Sequence, residues 1–173
     1  MEVHGMSRAT LILCLAALGL VARAQQLPNP YGESIGVDLA KKAAAAAVAE
    51  ARENGWNVAV AVADTHGSLV YFERMDGTQY GSTLVAQEKA RSAAQFKRPT
   101  KAFEEGVKGQ AINQLGLPGA VPLEGGVPIL ESGKIIGAIG VSGGTSVQDG
   151  QCATAGANAI APQGSQAPRP AKP

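Results

Sequence analysis

The chain has 173 residues, with 15 Lys and Arg against 14 Asp and Glu, for a formal net charge of +1. That balance excludes a nucleic-acid surface, which needs a basic surplus. Hydrophobic residues make up 45% of the chain, enough for one packed core and too many for a disordered polymer.

In chain order, Arg8 precedes the apolar run Leu11 to Val21, which ends at Ala22-Arg23-Ala24. A basic n-region, an h-region and an A-x-A site spell a secretory signal peptide over residues 1–24. The run is too short to span a bilayer, which takes about 20 apolar residues. The protein is therefore expected to be exported, periplasmic or extracellular, with no membrane span. Losing residues 1–24 removes Arg8, Arg23 and Glu2 and leaves a formally neutral chain. One cysteine then remains, Cys152, so no intramolecular disulfide can form. Residues 25–32, with Pro28, Pro30 and Gly32, read as a linker. Residues 161–173 (APQGSQAPRPAKP) have no apolar period and read as a disordered tail. About 130 residues between them suit a single domain, 33–160.

Within that domain, Ser34 is placed to cap a helix running to about Asn54, with alanines at 43–47 giving it a slim face. Such a face suits a close helix contact, within the chain or between chains. Asn54-Gly55 stops the helix. Val58 to Ala63 alternates Val and Ala, a strand with no polar face. Asp64-Thr65-His66-Gly67 is a hairpin turn, and Ser68 to Met75 returns as a second strand. A helix follows from Thr83 to about Phe96, then a short one after Pro99, from Thr100 to Val107. Residues 109–124 are irregular, broken by Gly116, Pro118, Gly119 and Pro122.

The run from Gly125 to Ile129, the turn Glu131-Ser132-Gly133-Lys134, and Ile135 to Val141 form a second hairpin. The last strand is apolar on both sides, as in a strand covered on both faces. Its glycines mark the close approach of another element. Thr145 or Ser146 then caps a final helix to Ile160. Hairpins followed by helices predict an α+β fold, an antiparallel sheet with helices packed on it.

Chemistry is thinly supplied. His66 is the one histidine after residue 24, and its tight turn mainly serves the backbone. One His and one Cys cannot build the usual zinc site. No serine stands in a Gly-x-Ser-x-Gly elbow. The best candidate is basic: Lys97, Arg98 and Lys101 beside a helix start, with Arg74 at a strand end and Arg91 upstream. Arginine clamps carboxylates through two parallel hydrogen bonds. A solvated basic face would also look like this. Thr100, after Pro99, reads as a helix cap.

The run Gly125–Asp149 also resembles the GlcG/HbpS family of haem-binding and haem-degrading domain proteins. Val58–Gly77, Ala86–Thr100 and Ser146–Ile160 agree with it. The resemblance implies a profilin-like sheet of about five strands, the unplaced strand falling in the long loop. It implies homo-oligomers, and haem or a related tetrapyrrole as ligand and cofactor. It places a threonine of an R-P-T motif at the haem, here Thr100, a weak iron ligand beside His or Met. The expected haem site is Thr100, Arg98, Arg74, Lys97 and Phe96, with His66 as the second choice for the metal. The implied role is haem storage, uptake or sensing. Two other readings stand beside it: a small-carboxylate enzyme or accessory subunit of glycolate or diol metabolism, and an oligomeric scaffold.

Overall fold

A computed structural model describes residues 28–160. The expected signal peptide, residues 1–24, and the expected tail, residues 161–173, fall outside the described residues. The order is α1 (Val37–Glu53), β1 (Ala59–Ala63), β2 (Leu69–Arg74), α2 (Ser82–Phe96), α3 (Lys101–Lys108), β3 (Gly126–Glu131), β4 (Lys134–Ser142) and α4 (Ser146–Asn158). The strands form one antiparallel sheet in the order β2-β1-β4-β3.

The sheet separates two helical layers, and β1 shows why. Val58, Val60 and Val62, in and just before the strand, face the alanines of α1 together with Cys152 and Ala153 of α4. Each buried valine contributes about 1.5–3 kcal/mol. Ala59, Ala61 and Ala63 face the other way, against Ala86 and Ala90 of α2. Methyl-sized side chains let α2 lie close to the sheet. Gly140, the register partner of Ala61, allows the same approach on β4.

The ends of the elements follow local chemistry. Gly55, at φ 72, lies just past α1. Asp64 Oδ1 accepts from the His66 and Ser68 N–H groups, at 2.8 and 2.9 Å, and so builds the hairpin turn. Thr145 and Gln148 form a capping box on α4. Ser34 does not cap α1: the N-cap is Gly36, and the Ser34 hydroxyl pairs with Thr65 Oγ1 at 2.7 Å.

Two further expectations change. The long loop holds a 3-10 turn, Ile112–Gly116, and the described residues carry four strands rather than about five. β1 ends opposite Ala138, and the chain from Pro30 to Ile35 runs beside the start of β4 beyond that point. Ile135 N–H donates to Pro30 O, Gly32 N–H to Ile135 O and Ile35 N–H to Ile136 O. The described part of the expected linker is thus tied to the sheet. The alanine face of α1 is also occupied within the chain. Gly156 of α4 has no room for a Cβ beside Ala43 O and Ala47. Ala43, Ala44 and Ala47 are buried within the chain, while Ala45 stays exposed.

Candidate functional site

The C-terminal end of α2 gathers most of the expected residues. Lys97 ends the helix in the left-handed region, at φ 55, where a non-glycine residue costs of order 1 kcal/mol or more. Tyr31 supports this turn. Its hydroxyl donates to Ala94 O at 2.8 Å and Gln95 O at 3.2 Å, and Lys97 Nζ lies 4.1 Å from the centre of its ring. Burial pushes the Tyr31 phenol up. Arg98 lies 4.2 Å over the ring of Phe103, which meets Phe96 edge-on at 5.2 Å. Two cations therefore rest on aromatic faces, an arrangement worth about 0.5–1 kcal/mol each at exposed sites. Among the described residues, neither Lys97 nor Arg98 has a carboxylate within 4.0 Å. The other cations of the motif differ: Lys101 pairs with Glu124 at 3.1 Å and Arg91 with Glu88 at 3.2 Å.

His66 reaches the same end of α2. Its carbonyl accepts from Gln95 Nε2 at 3.0 Å, and its ring is exposed. Arg74 does not join the cluster. It lies on β2, three strand spacings from β3, or about 14 Å. There its guanidinium covers Tyr80 at 5.1 Å and lines a polar cleft of about 310 Å³ with Arg52, Glu73, Met75 and Asp76.

Thr100 is placed differently from its expected role. It is fully buried, and its hydroxyl makes no cap on α3. Gly126 N–H donates to Thr100 Oγ1 at 2.8 Å, while Thr100 N–H donates to Gly126 O at 3.0 Å. The threonine is a clasp between α3 and the first residue of β3. Thr100→Val should strand the buried Gly126 N–H and cost about 1–3 kcal/mol in urea denaturation. An unchanged midpoint would show that water replaces the hydroxyl.

Beneath this clasp lies an ion pair absent from the expected site. Lys89 Nζ meets Asp149 Oδ2 at 2.8 Å, with side chains 3% and 4% exposed. Lys89 Nζ also donates to Val141 O at 3.0 Å, and Gly144 N–H donates to Asp149 Oδ1 at 2.9 Å. Burial pushes the Asp149 carboxyl up, against the pull of Lys89 and of the Gly144 and Gly143 N–H groups. The sequence carries a signal for both residues. Lys89 shares the buried stripe of Ala86, Ala90 and Ala93, and Asp149 shares that of Cys152, Ala153 and Gly156. A charge on an apolar stripe needs a buried partner. Cys152, by contrast, is inert: burial, with Glu50 and Asp149 nearby, pushes its thiol up to about 12. The described residues hold no cluster of three or more metal-ligating side chains, and none of their helices is long and apolar enough to cross a membrane.

The class defined by this fold and these motifs is recognisable. Residues 35–158 match the family described as haem degrading protein HbpS-like, and the chain belongs to it. Protein GlcG of Escherichia coli K12 is 45% identical over 98 residues, 57% of this chain and 73% of GlcG. A double mutant of Streptomyces reticuli HbpS superposes with a TM-score of 0.69 at 33% identity, covering 82% of this chain and 95% of that one. A structure described as a PduOC haem complex gives a TM-score of 0.66 at 26% identity, covering 73% and 95%.

Proposed function

We propose that this chain is an exported haem-binding protein that holds the macrocycle at the C-terminal end of α2, for storage, uptake or sensing. The observation that carries this is the pair of cations, Lys97 and Arg98, seated on aromatic rings with no carboxylate partner among the described residues. Haem propionates need such cations. Phe103 is buried beneath Arg98, so the rings open to a porphyrin are those of Tyr31 and the half-buried Phe96. The solved haem complex of a relative supports the ligand class. The residues fit the propionates better than they fit the iron. Thr100 Oγ1 is enclosed and already accepts a hydrogen bond. His66 is exposed at the same helix end, and we assign it the iron in place of Thr100. When bound, haem would supply the redox and ligand chemistry. The chain itself orients the propionates and stiffens the rim through Tyr31.

Exposed Ile112, Leu115 and Leu117 lie on one loop, whose 3-10 turn packs on α3, and we propose that they are covered in a homo-oligomer. The export signal over residues 1–24 motivates the compartment.

The test is a haemin titration of protein recovered from the exported fraction, with its intact mass and light scattering measured on the same sample. A mass lacking residues 1–24, a particle larger than one chain and a saturable Soret shift are expected. Arg98→Ala should weaken binding by about 1.5–3 kcal/mol if the contact is shielded from water. His66→Ala should change the Soret band more than Arg98→Ala does. An unshifted Soret band with the parent chain would sink the reading. A His66→Ala spectrum equal to the parent's would remove the histidine from the iron.

A further inference from the structure

We infer that Lys89, locked to Asp149, is a positioning residue for the haem site. Its ammonium acts as a stand-in strand partner that fixes where β3 begins. The inference rests on the proposed haem reading for its ligand half alone.

β4 meets β3 from Lys134 to Gly140, where Gly140 lies opposite Gly126. One residue further along the ladder, Val141 N–H still donates to Gly125 O at 2.9 Å. Gly125, however, stands at φ 129, and the backbone has turned out of the strand. Val141 O takes its hydrogen bond from Lys89 Nζ instead. A side chain from α2 thus occupies the place of a strand donor. The fit leaves no room for a residue larger than glycine at 125. A Cβ there would meet Val141 O, Asp149 Cβ and Lys89 Nζ, all within 2.9 Å. Gly126 is equally confined, since a Cβ there would meet Lys89 O and Thr100 Cγ2.

The second half of the lock faces α4. Asp149 Oδ2 holds Lys89, and Asp149 Oδ1 holds the Gly144 N–H of the turn between β4 and α4. One ion pair therefore joins α2, β4, the Gly143-Gly144 turn and α4. Thr100 hangs from the segment it fixes, through two hydrogen bonds to Gly126. Arg98 and Lys97 precede Thr100 in the chain. The path from the buried lysine to the cationic rim is thus continuous: Lys89, Gly125-Gly126, Thr100, Arg98.

Stability alone would not require this arrangement. A buried ion pair replaced by apolar residues of similar volume is often neutral or better for stability. What the apolar pair cannot do is donate to Val141 O or accept from Gly144 N–H. The two roles therefore separate experimentally.

The variants are Lys89→Met, Asp149→Leu and the double, with Lys89→Arg as the donor-retaining control. Readouts are the thermal midpoint, the amide exchange of Gly126 and Gly144, and haemin titration. Each single variant should lower the midpoint, and the double should recover most of that loss. In the double, Gly126 and Gly144 should nevertheless exchange on the order of 10-fold faster than in the parent, because the local opening is easier. Its haemin affinity should fall by about the same factor. Lys89→Arg should keep the exchange rates near the parent's, and it decides the matter if the double does not fold. A double variant with parental exchange and parental titration overturns the inference, as does Lys89→Arg exchanging as fast as Lys89→Met. If the parent itself binds no haem, the haem reading fails and the exchange data alone judge the lysine.

Discussion

Gly140→Val should give no folded protein at ordinary temperature, and even Gly140→Ala should cost about 3 kcal/mol or more. A Cβ at 140 would stand 2.1 Å from Ala86 O and 2.5 Å from Ala90 N. Both atoms are helix backbone, which cannot rotate aside as a side chain can. The whole of α2 would have to lift. That helix packs on β4, β1 and β3, and its underside is the alanine layer over Ala59, Ala61 and Ala63. Lifting it also withdraws Lys89 from Val141 and Asp149. A domain of this size has roughly 5–15 kcal/mol in total, so a second methyl layer at 140 consumes the margin. Gly81→Ala is the control, because nothing lies within 4 Å of its Cβ position. Circular dichroism melts should show Gly81→Ala within a few degrees of the parent. A Gly140→Ala melt equal to it would mean that α2 floats over the sheet rather than docking on it.

This dependence on glycine also explains how much of the fold was legible in the sequence. Ile135 to Val141 has no polar face, and Gly137 and Gly140 interrupt it. Such a strand must be covered on both sides and approached closely, and the structure shows both. The hairpin turn at Asp64, the stop at Gly55 and the cap at Thr145 follow from short-range chemistry, which sequence displays directly. Ser34 and Thr100 mislead for the same reason. Each stands where a cap would stand, but each hydroxyl has a better partner from far along the chain: Thr65 for Ser34, Gly126 for Thr100. The site divides along the same line. Lys97, Arg98 and Phe96 adjoin in sequence and stay together on one turn. Arg74 joins them only by charge type, and strand order sends it across the sheet. Tyr31 could not be connected to Lys97 from a Pro-rich segment that reads as a linker. Lys89 and Asp149 were legible singly, as charges on apolar stripes, but their pairing is set by a contact across 60 residues of chain.

Asp149→Ala should cost about 3–5 kcal/mol, the usual loss when one member of a buried pair is removed. The deletion leaves the Lys89 ammonium enclosed without a counter-charge, at 2% exposure for the residue, and strands the Gly144 N–H at the entrance to α4. Asp149→Asn is the informative companion. Its amide oxygen can still accept from Gly144, but its NH2 group then faces the Lys89 ammonium, so its cost combines the lost charge with a donor–donor contact; it should still fall below that of Asp149→Ala because the Gly144 N–H stays paired. Guanidinium denaturation should show lower midpoints with an unchanged slope, because the same surface is exposed on unfolding. Equal costs for the two variants would mean that the contact between the Asn NH2 and the Lys89 ammonium offsets whatever the retained Gly144 hydrogen bond contributes. A cost below about 1 kcal/mol for both would mean that Lys89 escapes to solvent when unpaired. α2 would then be a loose cover, and the fixed start of β3, from which Thr100 and the cationic rim are hung, would have to come from elsewhere in the chain.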